Sequence, residues 1–394
     1  MSTPPPHDPT PGWGEALYSG AAGIALAHIE YAHAGVEGWD TAHRWVAAMV
    51  RSPVTAHPDA CGLHRGAPAV AFTLYAAGRP EYTPTLDILD GHIAALTRHR
   101  LQRAHERIDA GQLPALREYD LIRGLTGIGA YLLHRHGGGR LLHDVLAYLA
   151  RLTDPLKIDD GEMVPGWWTG HAPDDRPSSR WPGGHGNLGV AHGIAGPLAL
   201  LSLAMRRGIT VAGQAGAIAR ICGWLDQWRT GTCTRAWWPE TVTASQHRAG
   251  TLRQTGPGRP SWCYGTPGLA RAQQLAGLAL ADPRRQRLAE QALAGCLADQ
   301  RQLAQLGDAS LCHGWAGLLQ TAWRVAADAN DPEPLAVRRL LQRLERQVGG
   351  DDAPADGGLL EGVAGARLAR HTVARDVPPA SGWDACLLLD SGPA

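Results

Sequence analysis

The sequence predicts an all-α protein, an α/α toroid in which a ring of seven inner helices is matched by a ring of outer helices. Three observations carry that expectation. A Gly-x-x-Gly motif, or a near relative of it, recurs seven times along the 394 residues. Each copy opens an apolar stretch of helical length, and the segments between copies show helical periodicity with a polar face. Helix pairs that each bury a face on their neighbours stack as an open solenoid or close into a ring, and closure leaves no exposed end.

Taken in order, the copies read YSGAAGIALAHI from Tyr18, HRGAPAVAFTLY from His64, IRGLTGIGAYLL from Ile122 and AHGIAGPLALLSLA from Ala191, then CYGTPGLARAQQLAG from Cys263, CHGWAGLLQTAWRVA from Cys312 and LEGVAGARLAR from Leu360. The leading glycines are Gly20, Gly66, Gly124, Gly193, Gly265, Gly314 and Gly362, and a second glycine follows at +3 except where Pro68 and Ala69 stand. Small residues on the first turn let a neighbouring backbone come close, so the repeat is a packing device. Between the copies, AEQALAGCLADQRQLAQL (289–306) and PLAVRRLLQRLERQV (334–348) read as outer helices. Region 80–115 reads as a charged helix that protrudes. Two long Pro/Gly/Trp-rich stretches, 164–187 and 235–262, read as functional loops, because long irregular segments inside a compact domain are otherwise uncommon. Residues 1–15 form a Pro-rich disordered terminus, and 16–394 form a single toroid domain.

Composition narrows the function. With 44% hydrophobic and 19% charged residues the chain is core-forming, and no apolar run is long enough to span a bilayer. The 37 basic residues balance the 37 acidic ones, which argues against a nucleic-acid partner. MSTPPPHDPTPG lacks the charged and apolar regions of a secretion signal, so a cytoplasmic location is expected. Seven cysteines in a reducing compartment are expected to be buried, reactive or metal-bound and not disulfide-linked.

Aligning polar residues to the repeat collects the chemistry. Arg65, Arg123, His192, Tyr264, His313 and Glu361 each sit one residue before a leading glycine; Cys263 and Cys312 sit two before, and Asp120 four before Gly124. If every glycine-led helix starts at the same end of a ring, these residues meet at that end. Two cysteines and a histidine are the donor types of a zinc site, and three ligands leave the open position of a catalytic one. The competing reading is that Cys263 and Cys312 are buried small hydrophobes like Cys222 or Cys296.

The segments WCYGTPG, LCHGWAG, NLGVAHGIAG and YDLIRGLTGIG, with the terminal SGWDACLLL, resemble the signature segments of the lanthionine synthetase C-like cyclases. The resemblance runs from about Tyr18 to the C-terminus. It implies a seven-fold α/α toroid with one zinc ion held by Cys263, Cys312 and His313. It also implies a reaction: addition of a cysteine thiol to dehydroalanine or dehydrobutyrine in a ribosomal precursor peptide, giving a thioether ring. His192 is then the acid, Arg259 stabilises the enolate or orients the peptide, with Arg253 as a substitute, and Asp120 orients His192 or Arg259. Tyr264 hydrogen-bonds within the site. Trp181, Trp262 and Trp315 either wall a peptide channel or belong to the core.

The repeats fill the chain, so Ser/Thr dehydration falls to a separate dehydratase, and region 80–115 does not match the small extra domain some relatives insert. Other readings are a prenyltransferase-like toroid, a zinc-containing scaffold that binds a peptide or glutathione without cyclising it, and a metal-free solenoid.

Overall fold

The computed structural model describes residue 5 and residues 10–158, 161–335, 337–348 and 357–390. Thirteen helices alternate between an inner and an outer layer. The inner ones are α1 (Ala21–His33), α3 (Ala67–Ala77), α5 (Leu125–His136), α7 (Ala195–Arg206), α9 (Thr266–Ala279), α11 (Trp315–Asp328) and α13 (Val363–Arg375). Each begins directly after its leading glycine or one residue later. The outer ones are α2 (Trp39–Met49), α4 (Thr83–Asp109), α6 (Arg140–Arg151), α8 (Gln214–Gln227), α10 (Pro283–Ala298) and α12 (Val337–Val348). Inner helices are apolar around nearly their whole circumference, as α3 and α9 show, because they touch neighbours on every side. Outer helices such as α6 bury one stripe, here Leu142, Val145, Leu146 and Leu149.

The ring is closed. α1 packs on α3, α3 on α5, and so on round to α13 against α1. The loops entering the inner helices are also stitched together by a circuit of main-chain hydrogen bonds. Leu17 N donates to His64 O, His64 N to Ile122 O, Leu121 N to Ala191 O, Val190 N to Cys263 O, Cys263 N to Cys312 O, Cys312 N to Leu360 O, and Leu360 N to Tyr18 O, at 2.8 to 3.4 Å. Seven bonds link seven repeats, so all the inner helices start at one end of the toroid, as the register argument requires.

The second glycine of each motif has a steric reason. A Cβ at Gly127, Gly268, Gly317 or Gly365 would lie 1.9 to 2.1 Å from the carbonyl oxygen six residues upstream, in the stitched loop. These are close approaches of backbone to helix, which only glycine permits.

Region 80–115 does not protrude. α4 takes an ordinary outer position against α3, α5 and α6, burying Leu86, Leu89, Ile93, Leu96 and Leu101. The terminal boundary also moves. Residues 1–4 and 6–9 lie outside the described residues, but Trp13 packs at a tilt against Trp45 and buried Glu15 accepts from Thr55 N at 2.6 Å. The long loops carry short antiparallel strands: β1 (Leu156–Lys157) pairs with β2 (Met163–Val164), and β3 (His185–Asn187) with β4 (Thr241–Thr243). None of the helices of the described residues is long and apolar enough to cross a membrane.

Among the described residues, no outer helix follows α13. The chain returns through a 3-10 turn, Trp383–Leu387, and threads the inner ring. Leu387 O accepts from Trp262 Nε1, Leu389 O accepts from Arg271, and buried Glu30 of α1 accepts from the Ser381 amide and hydroxyl. Asp384, fully buried, takes Arg324 Nε and Nη2 at 2.6 and 2.8 Å and Gln320 Nε2 at 2.7 Å. Removing one partner of such a pair strands the other charge, at about 3–5 kcal/mol. Asp384→Ala is accordingly expected to lower the unfolding free energy from chemical denaturation by that amount, and an unchanged value would show that this terminal segment does not support the ring.

Candidate functional site

Both cysteine loops enter neighbouring inner helices, and the Cys263 N to Cys312 O bond of the circuit holds them side by side. One donor atom each from Cys263, Cys312 and His313 lies within 4.8 Å of the others. Cys263 is buried, whereas Cys312 and His313 are partly open. Cys61, Cys222, Cys263, Cys296, Cys312 and Cys386 are free thiols.

The pair shares a proton unequally. The Cys263 thiol is pulled down to about 7, first because Cys312 donates its S–H to it, with the Ser261 hydroxyl and the charge of Arg259 acting the same way against burial. Cys312, which keeps the proton, is pushed up. His313 turns Nε2 towards Asp308 Oδ2 at 3.4 Å, leaving Nδ1 for an ion. A carboxylate behind a ligating histidine fixes the ring and its tautomer. Two soft sulfurs, a backed imidazole and partial access fit zinc with an open position.

Next along the circuit, the loop of His192 is bonded to that of Cys263 through Val190 N. His192 Nδ1 lies 2.7 Å from Asp120 Oδ2. The other Asp120 oxygen accepts from the main-chain N–H groups of Arg123 and Gly124, at 2.6 and 2.8 Å, at the start of α5. Asp120 therefore both pins the turn that leads into α5 and orients the histidine, and Arg259 is not among its hydrogen-bond or ion-pair partners. Tyr264 is held by Asn187 Nδ2 at 3.0 Å, and burial raises its phenol so that it keeps its proton.

The other sequence candidates fall outside this cluster of contacts or at its edge. Arg259 is exposed, close enough for its charge to act on Cys263, Cys312 and Asp308. Arg253 is exposed on the same loop, with no hydrogen bond or ion pair among the described residues. Trp262 and Trp315 are core residues, while Trp181 is partly open and meets the His185 ring at a tilt.

Asn187, Ser261 and Asp308 were not among the expected site residues. A signal existed for two of them. Asn187 lies six residues before Gly193, as Arg259 does before Gly265 and Asp308 before Gly314. A Cβ at Gly193 or Gly314 would strike Asn187 Oδ1 or Asp308 Oδ1 at 2.4 or 2.3 Å, so this second register position packs against the leading glycine.

His64 occupies the cysteine position of the second repeat. It is 1% exposed, and neither ring nitrogen has a hydrogen-bond partner among the described residues. Burial lowers its pKa to about 4. The unfolded chain, with histidine near 6.5, binds this proton more readily, so stability is complete above about pH 6.5 and falls as pH drops towards 4, by up to about 3 kcal/mol. His64→Leu should remove that share of the acid loss. His185, also lowered to about 4 by burial, leaves a remainder of the same sign. A denaturation profile as steep as the wild type's between pH 6.5 and 4.5 would contradict this.

Comparison with known proteins shows the family and the fold. The family model described as "Lanthionine synthetase C-like protein" matches residues 12–388. The chain belongs to this family. It is 26% identical over 267 residues to the nisin biosynthesis protein NisC of Lactococcus lactis subsp. lactis, an alignment covering 66% of this chain and 60% of that protein. The solved structure of nisin cyclase superposes with a TM-score of 0.79 at 22% identity, covering 96% of this chain and 93% of that one, so the two share the α/α toroid fold.

Proposed function

We propose that this member of the lanthionine synthetase C-like family is a zinc-dependent lanthipeptide cyclase, adding cysteine thiols to dehydroalanine or dehydrobutyrine in a ribosomal precursor peptide. The observation that carries the reading is the convergence of Cys263, Cys312 and His313 in a loop circuit that also presents the Asp120–His192 pair. The peptide arrives already dehydrated, so a separate dehydratase acts before it. The residues from Trp13 onward work as one toroid domain in the cytoplasm, with neither nucleic acid nor a membrane as partner.

Cys263, Cys312 and His313 are the residues that would hold one zinc ion. When bound, zinc supplies the Lewis acidity that keeps a substrate thiol deprotonated at neutral pH. His192 takes the thiol proton at Nε2, while Asp120 holds the opposite ring nitrogen. The sulfur attacks Cβ of the dehydroamino acid, the C–S bond forms, and the displaced π pair moves onto the amide oxygen as an enolate. His192 then delivers its proton to Cα. Protonated Tyr264 and exposed Arg259 donate towards the charge that develops.

Ring formation is an isomerisation, so the peptide keeps its mass and loses an alkylatable thiol. Incubating the chain and zinc with a dehydrated, cysteine-containing peptide, followed by N-ethylmaleimide and mass spectrometry, tests the proposal. Loss of maleimide adducts relative to a no-enzyme control is expected. A peptide that binds yet stays fully alkylated identifies a non-cyclising scaffold.

A further inference from the structure

We propose that Arg123 is a further substrate-contacting residue, a guanidinium that receives the amide oxygen of the dehydroamino acid as its negative charge develops. The inference rests on the cyclase reading above.

Arg123 stands one residue before Gly124, in the register shared by His192, Tyr264 and His313. Its backbone is pinned at both ends: the N–H donates to Asp120 Oδ1 at 2.6 Å, and the carbonyl accepts from Arg100 Nη1 at 2.5 Å. Its side chain is held differently. Nε lies 3.8 Å from Asp120 Oδ2, the oxygen that also takes His192 Nδ1 at 2.7 Å. Nη2 lies 3.5 Å from Asp175 Oδ2, in the long loop 164–187. Both carboxylates are buried, with side chains 0% and 2% exposed, yet the Arg123 side chain remains 45% exposed.

The guanidinium is therefore positioned by charge and left unsaturated in hydrogen bonds. It carries five N–H donors in a planar fork, and no side chain or carbonyl of the described residues takes one at hydrogen-bonding geometry. Asp175 is itself a fixed point: Leu116 N donates to its Oδ1 at 2.9 Å, and its backbone adopts a positive φ of 65°.

The ligand class follows from where the cation sits. His192 delivers a proton to Cα, and the charged oxygen is two bonds from that carbon. A cation sharing one carboxylate oxygen with His192 lies beside that oxyanion. The charge of Arg259 acts on Cys263 and Cys312. The two arginines divide the reacting group between them, Arg259 on the side of the attacking sulfur and Arg123 on the side of the proton donor. An oriented donor of this kind contributes about a hundredfold or more in turnover.

The test compares wild type with Arg123→Gln, Arg123→Lys and Asp175→Asn in the full zinc-loaded chain, reading kcat, KM, zinc content and thermal midpoint on a dehydrated model peptide. Arg123→Gln is expected to lose about a hundredfold in kcat with little change in KM, zinc or thermal midpoint. Arg123→Lys should recover at least a tenfold part of that loss, and Asp175→Asn should lose much less than Arg123→Gln. A kcat for Arg123→Gln within threefold of wild type would overturn the assignment. So would an Asp175→Asn variant as impaired as Arg123→Gln, which would make Arg123 a tether for the loop. An inactive wild type would overturn the cyclase reading and this inference with it, whereas an active wild type alongside an unimpaired Arg123→Gln overturns the inference alone.

Discussion

Cys312→Ala is expected to reduce cyclisation to the uncatalysed background while the toroid stays folded. The side chain is small and only partly buried, so little packing is lost. Its contribution to ring closure runs through the backbone, whose N–H to Leu360 O and O to Cys263 N bonds do not depend on the thiol. What disappears is one of three donors gathered within 4.8 Å. The control is Cys222→Ala. Cys222 is buried in the outer helix α8, where burial raises its thiol to about 12, and its loss should leave turnover intact. Maleimide-blocked mass spectrometry of the product peptide reads the rate, and circular dichroism reads the fold. Cyclisation by a folded Cys312→Ala chain at a tenth or more of the wild-type rate would remove zinc activation from the mechanism.

His192→Ala is the second large effect, a fall of about 10²- to 10⁴-fold in kcat at unchanged zinc content and near-constant KM. The magnitude follows from its double role, as acceptor of the thiol proton and donor to Cα. Asp120 supports both by fixing Nδ1, but it also accepts the Arg123 and Gly124 amides. Asp120→Ala would thus mix the loss of these loop hydrogen bonds with the catalytic loss, and Asp120→Asn is the cleaner companion. Its expected kcat lies between those of the wild type and His192→Ala. A His192→Ala enzyme within tenfold of wild type would place the proton donor elsewhere, with Tyr264 the next group to replace.

Much of this was legible in the sequence because one device, the glycine pair, is repeated and does one job. Each second glycine admits the carbonyl of the loop six residues before it, so the loops reach a common level and their polar residues acquire a common register. Against that register Cys263, Cys312, His313, His192 and Asp120 fall at one end of the ring. The end of the chain was not legible in this way. SGWDACLLL has no helical period, and its job depends on partners such as Glu30, Arg271 and Arg324, which are far away in sequence. The charge of region 80–115 suggested protrusion because its apolar stripe, Leu86 to Leu101, is narrow beside its polar faces. A single buried stripe suffices for an outer helix. Asn187 and Asp308 escaped notice because their register lies in irregular loops, where spacing to the leading glycine carries meaning only once the close contact is seen.

The central claim is that Cys263, Cys312 and His313 hold one zinc ion. Zinc per chain, counted by mass spectrometry of the metal after loading and exhaustive dialysis, tests it most directly. The account predicts about one zinc in the wild type, about one in Cys222→Ala, and close to none in Cys263→Ala or Cys312→Ala at matched circular dichroism. A folded wild type that takes up no zinc, or a Cys263→Ala chain that keeps it, would contradict the account.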